Sequence, residues 1–231
     1  FFSICVNSRK KDIADGVHVI EGEGGDFVDA FLVQMKKEQN SDAPSTFDEK
    51  WLEMSLLDLW AAGQETTMVT LNWAFSYLLL HPQVIKLVIR SIMVASITLT
   101  CSMLRASNAF LFAYLFFQSL LFKEVHRCAT IVPMNLWRDT SEDTVVGQYL
   151  IPKGTAITAQ ISAIMNDDQY FKNNCNFNPD RYFNGDRIEQ MVVAFGLGKR
   201  ACPGESLAQA ELYLVGLFIY LFTPLVISYV P

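Results

Sequence analysis

The chain has 231 residues and a mass of 26.1 kDa, room for one large domain or two small ones around a real core. Its 18 Lys and Arg against 24 Asp and Glu give a net charge of −6, so no basic field is available to hold a polyanion, which argues against nucleic-acid binding. Hydrophobic residues make up 51% and charged ones 18%, against about 25% charged in an ordinary soluble domain, which excludes disorder and points to an unusually apolar stretch somewhere in the chain.

Phe1 to Val6 is apolar and the chain turns polar at Asn7, with Arg9, Lys10 and Lys11 following. No initiator Met, charged n-region or cleavage site precedes it, so the expectation is a chain that begins inside a longer protein, without a secretory signal. From Gly25 to Gln39, Phe27, Val28, Phe31, Leu32 and Met35 share one face of an amphipathic helix, and a polar linker runs from Gln39 to Ser45. Thr46-Phe47-Asp48-Glu49 reads as a capping-box start, and the helical pattern then continues to His81-Pro82. A helix from Phe47 to Leu80 is 34 residues, or about 50 Å, against a diameter of roughly 45 Å for a compact chain of this length. Such a helix belongs in a larger molecule.

Leu87 to Phe122 is the apolar stretch: 36 residues with two charges, Arg90 and Arg105, in a chain whose remaining composition is near normal. Ser91 to Leu104 and Ala106 to Phe122 fall somewhat short of the ~20 residues that cross a bilayer, although an Arg can snorkel from a helix end. A buried helix is the alternative, yet the segment has neither a clean 3.6 or 2 period nor caps. A third reading is that it does not belong to this fold.

Lys123 to Ile131 reads as a short helix ended by Pro133. Thr144 to Val146, Tyr149 to Ile151 and Thr155 to Ile161 read as short strands around Gly147 and a Pro152-Lys153-Gly154 turn. A loop rich in Asn and Asp follows from Asn166 to Asn184, and a last helix opens at Pro203 and runs apolar to about Phe222. The fold class is mainly α with a minor antiparallel β part. Five cysteines, Cys5, Cys101, Cys128, Cys175 and Cys202, are widely spaced and contain no CxxC pair; His18, His81 and His126 form no HxxxH or HExxH set. Neither a disulfide framework nor a zinc ribbon fits.

The sharpest local feature is Phe195-Gly196-Leu197-Gly198-Lys199-Arg200-Ala201-Cys202-Pro203-Gly204. Two glycines allow tight turns, and a Cys just ahead of a helix N-terminus meets the positive end of the dipole, which favours thiolate over thiol. A protein-only zinc or iron–sulfur site is disfavoured without a second ligand at suitable spacing. Two readings stay open: a lone axial ligand, as in haem-thiolate proteins, or a buried free Cys in a Gly-rich turn.

These residues resemble a known family. Phe195, Gly198, Arg200, Cys202 and Gly204 match every fixed position of the FxxGxRxCxG haem loop of cytochromes P-450. Ala62 to Thr67 is similar to the family's [AG]Gx[DE]T[TS] oxygen-activation turn, Glu124-Val125-His126-Arg127 to its ExxR motif, and Phe177 to Tyr182 to its PERF-type segment, all in the family's order. The texture of 26–80 and 123–222 is most similar to animal microsomal members.

The resemblance implies a haem-dependent monooxygenase on an incomplete cytochrome P-450 fold, inserting one atom of O2 into a small lipophilic substrate. Haem b is the implied cofactor and an NADPH-dependent reductase the implied electron source, since no GxGxxG opens a helix after a strand. The full-length family implies the endoplasmic reticulum membrane. By the same resemblance Cys202 is the thiolate ligand, Arg200 and Arg138 pair with haem propionates, and Phe195 packs beside the sulfur. Glu65 and Thr66 relay protons, with Gly63 leaving room for O2 and a local widening of the helix. Glu124, Arg127 and Arg181 form a structural ion network.

The match covers about the C-terminal half of a family member and departs from it at Leu87 to Phe122, where the family has polar amphipathic helices. The whole of 1–231 thus reads as a partial domain, 26–80 and 123–222 family-like and 87–122 anomalous. A truncated, haem-free fragment or pseudogene product, membrane-associated or free, is the alternative to an enzyme. A membrane hairpin at 87–122 would drag both flanking core helices to a bilayer, so the favoured reading is a translated intron or other gene-model error. The mature transcript is then expected to lack this segment; sequencing an mRNA that carries it in frame would overturn the reading.

Overall fold

The computed structural model describes residues 1–39, 47–84, 118–184 and 187–216. Among them the chain is mainly helical with two small antiparallel sheets, and it divides within its longest helix into two units, Phe1–Glu65 and Thr66–Pro231.

The first unit contains α1 (Phe2–Ala14), α2 (Phe27–Gln39) and the start of α3 (Glu49–Leu80). No apolar stripe announces α1, whose buried residue is Val6. Polar contacts hold it instead: Ser3 Oγ donates to Glu53 Oε1 at 2.5 Å, Lys10 pairs with Glu49, and the Phe2 ring meets Trp60 edge-on at 6.3 Å. Asp26 caps α2 by accepting the Asp29 N–H at 3.0 Å. Asp29 is the buried residue of that helix, facing Arg9 Nη1 at 2.7 Å and His18 Nε2 at 2.9 Å. Burial alone would raise its pKa, but the hydrogen bonds from His18, Arg9 and the Gly25 amide outweigh it and hold the carboxyl below the usual range.

At the start of α3, Asp48 Oδ1 accepts the Trp51 N–H at 2.8 Å and so caps the helix; the linker from 40 and Thr46 of the capping-box reading lie outside the described residues. The helix is 32 residues long and stays a regular α-helix through Gly63; the local widening expected there is not formed. Trp51, Trp60 and Trp73 of α3 are exposed, as is Trp137 in the second unit.

In the second unit, α4 (118–129) and α6 (205–216) pack on the end of α3. Ala74, Val84, Leu121, Phe122, Val125, Phe177 and Leu212 make one core, and the Gln118 side-chain amide donates to the Leu212 and Tyr213 carbonyls at 3.2 Å. Helix α4 therefore begins upstream of Lys123, where composition had placed the boundary. Residues 87–117 of the anomalous segment, including Ser91 to Leu104 and most of Ala106 to Phe122, lie outside the described residues. Among the described residues no helix is long and apolar enough to cross a membrane.

β1 (Arg138–Asp139) pairs with β4 (Ala156–Ile157), Arg138 opposite Ile157. β2 (Thr144–Val146) and β3 (Tyr149–Ile151) form a hairpin whose two-residue turn needs the φ of +61° that Gly147 supplies. The strand expected over Thr155 to Ile161 is only two residues long, because Ile161 and Met165 bury together, with Val193, from one face of a short helix, α5 (Ile161–Met165). Within the Asn-rich loop, Pro179–Asn184 is a 3-10 helix. The end of the last helix toward Phe222 lies outside the described residues.

Phe171 is fully buried against Leu120 and Tyr182, with the Arg127 guanidinium 5.3 Å above its ring. Phe171→Ala is expected to destabilise the chain by about 3–5 kcal/mol, read as a lower urea midpoint by circular dichroism; an unchanged midpoint would show that this core contributes little.

Candidate functional site

The Gly-rich segment folds into a loop because its glycines take conformations closed to other residues. Gly196 and Gly198 have φ of +73° and +75°, in the left-handed region where a Cβ is strained. A Cβ on Gly198 would meet nothing within 4 Å, so φ and not crowding demands glycine there. Three backbone hydrogen bonds close the loop: Gly196 N–H to Val193 O at 2.9 Å, Ala201 N–H to Gly198 O at 3.0 Å, and Cys202 N–H to Phe195 O at 2.8 Å. Cys202 is exposed and α6 begins three residues later. The Phe195 ring meets His126 of α4 edge to face, centroids 5.1 Å apart.

A buried ion network joins α4 to the chain at 178–182. Glu124 and Arg127, one turn apart on α4, pair bidentately: Arg127 Nε donates to Glu124 Oε2 and Nη2 to Oε1, both at 2.9 Å. Arg181 Nε reaches Glu124 Oε1 at 3.1 Å, the Asn178 N–H at 2.9 Å, and the Tyr182 hydroxyl donates to Oε2 at 2.7 Å. The guanidinium groups also donate to carbonyls, Arg127 to Met165 and Asn176, Arg181 to Lys172, Asn173 and Asn176, and Arg127 Nη2 donates to Cys128 Sγ at 2.8 Å. Side-chain exposure is 0% for Glu124 and Arg127 and 8% for Arg181.

Burial opposes the charge on Glu124, but Arg127 above all, then the Asn178 N–H and Tyr182, outweigh it and lower the pKa. Burial and the neighbouring Glu124 push the Cys128 thiol up to about 12 and raise the Tyr182 phenol, so both stay protonated. Burial alone lowers His126 to about 4, which keeps its ring neutral.

The other expected site residues are distributed more widely. Arg138 on β1 and Arg200 in the loop are both exposed. Glu65 and Thr66 sit on the exposed side of α3, Glu65 ending the first unit and Thr66 opening the second; the Thr66 carbonyl accepts the Thr70 hydroxyl at 2.8 Å. The structure adds residues that motif reading missed. Thr67 Oγ1 donates to Glu211 Oε2 at 3.2 Å, tying α3 to α6, and Tyr182 and His126 join the network and the loop. Tyr182 and His126 had a signal, their places beside Arg181 and inside the Glu124 to Arg127 motif; Glu211 had none.

The cytochrome P450 family profile matches residues 1–221. The chain belongs to the cytochrome P450 family. It is 34% identical over 219 residues, 91% of the chain, to a probable cytochrome P450 cyp-35D1 of Caenorhabditis elegans. It is 33% identical over 216 residues, 93% of the chain, to cytochrome P450 2J2 of Homo sapiens, and 32% over 210 residues, 89% of the chain, to cytochrome P450 2U1 of Bos taurus. The chain spans about two-fifths of these relatives, 42%, 41% and 38% of their lengths respectively. The P450 match reaches residue 1 and so takes in α1, upstream of the 26–80 and 123–222 segments whose texture looks family-like.

Membership in the P450 family implies a haem iron with a cysteine thiolate ligand. The donor set is compatible with that demand: Cys202, whose thiolate is a ligand type suited to haem iron, is exposed in its loop.

The titrations fix how stability follows pH. Glu124 has a folded pKa below its reference value of 4.5, so its contribution is complete above that pH and is lost as pH falls through the depressed value. His126 is lowered from 6.5 to about 4, so the unfolded chain takes up a proton that the folded one refuses, and stability falls as pH drops across that interval. Urea unfolding by circular dichroism is expected to show both losses, with His126→Phe flattening only the upper one. Glu124→Gln, which strands two guanidinium groups, is expected to lower stability at pH 7 by about 3 kcal/mol or more. A wild-type slope in His126→Phe would contradict the histidine assignment.

Proposed function

We propose that this chain carries the thiolate side of a haem monooxygenase, with Cys202 as the iron ligand. The observation that supports it best is the Cys202 loop, which holds an exposed cysteine ahead of α6 while the amide of the same residue is already bound to the Phe195 carbonyl. Bound to that sulfur, haem iron supplies the reductive activation of O2, so that with two electrons and two protons one oxygen atom enters a substrate C–H bond and the other leaves as water.

The chain's own residues prepare that chemistry. Phe195 and the two left-handed glycines hold the sulfur at a fixed place in the loop. Arg200 and Arg138 provide guanidinium forks suited to carboxylates such as haem propionates. Glu65 and Thr66, neighbours on α3, relay protons to the reacting oxygen, Thr66 through its hydroxyl. Glu124, Arg127 and Arg181 order the 165–182 chain that leads into the loop. Electrons come from NADPH through a separate reductase, and the substrate is a small lipophilic molecule. The endoplasmic reticulum membrane is the compartment proposed for the full-length form.

The test is to express the 231-residue chain with haem and record the reduced carbon monoxide difference spectrum. A thiolate-type Soret band is expected, and Cys202→Ala is expected to abolish it. No such band in the unmodified chain would reject the reading for this chain; a band that survives Cys202→Ala would show the ligand assignment to be wrong.

A further inference from the structure

We infer that His126 is a positioning residue for the Cys202 loop, acting through Phe195. Two residues from Glu124 on a 3.6-residue turn, His126 leaves α4 on a different side from the ion network, and there its ring stands at 72° to Phe195 with centroids 5.1 Å apart. Edge-to-face pairs are directional, because the positive edge of one ring meets the negative face of the other. A neutral imidazole can take that place as an aromatic ring, and burial keeps this one neutral.

Phe195 is also the residue whose carbonyl accepts the Cys202 N–H at 2.8 Å. The residue that His126 touches is therefore the one that closes the loop behind the sulfur. A cavity lies beside the pair, lined in part by Lys123, His126, Phe195, Glu205, Gln209 and Tyr213. Removing the imidazole would enlarge that space and leave the Phe195 ring free to sink into it, taking its backbone along. Filling the same position with another aromatic ring would not.

The inference rests on the ligand reading of Cys202 only for its consequence at the sulfur, and its test needs no haem. Amide hydrogen exchange is measured on the full 231-residue chain, on peptides spanning 193–204 and α3. His126→Ala is expected to speed exchange at the Cys202 amide about fivefold, the opening free energy of one lost aromatic pair, while α3 amides keep their rates. His126→Phe is expected to retain wild-type protection. Unchanged exchange in His126→Ala, acceleration spread evenly over the chain, or a phenylalanine variant as fast as the alanine one would each overturn it. A failed haem spectrum with a positive exchange result would remove the ligand reading and leave the positioning role standing.

Discussion

A carboxylate removed from water is tolerable only when its lone pairs are occupied by good donors. Glu124 meets that condition with both guanidinium groups, the Tyr182 hydroxyl and the Asn178 amide. Arg127 belongs to the same helix as Glu124, while Asn178, Arg181 and Tyr182 come from one short stretch at the 3-10 turn, so the carboxylate fixes that turn of the Asn-rich loop against α4. Apolar residues of the same volume could fill that space with equal stability, but they would not set the direction of each incoming segment. The charge does so because a misplaced donor leaves a buried ion unsatisfied.

From that fixed helix the rest of the second unit is placed by contact. One side of α4 carries the network, another carries His126 against Phe195, and Gln118 near its start ties it to α6 through two carbonyls. Helix α6 is bonded in turn to α3 through Glu211 and Thr67, one residue beyond Thr66. The Cys202 loop lies between elements that are each held by a polar contact, and its own shape comes from two glycines at positive φ and three backbone hydrogen bonds.

How much of this was legible in the sequence depended on how local its cause was. Helices α2 and α3, the β2–β3 hairpin and the cysteine loop follow from periodicity, caps and glycines within a few residues of one another, and the helical fold class followed from them. The family resemblance rested on four motifs in one order. Helix α1 was not visible, because its hold comes from charged partners on other helices and not from an apolar stripe. The start of α4 was hidden because residues 118–122 share the apolar composition of the segment before them, although Leu120, Leu121 and Phe122 are core. Tyr182 to Glu124 spans 58 residues and Thr67 to Glu211 spans 144; no spacing rule reaches so far. The widening at Gly63 was expected from motif likeness, and the helix instead stays a regular α-helix there.

The placement of the indoles has an optical consequence. The four tryptophans, Trp51, Trp60, Trp73 and Trp137, are 43% to 65% exposed, with Trp60 against Phe2 and Trp73 stacked on Tyr77, whereas among the described residues the buried core around the Glu124 network contains tyrosine and phenylalanine but no indole. Native emission therefore comes from indoles already in contact with water, and unfolding the core shifts it less than exposing a buried indole would. The signal that reports the integrity of this fold is the near-ultraviolet dichroism of Tyr182 and Tyr77, whose rings are held in fixed surroundings by Glu124 and by a 4.6 Å stack on Phe177.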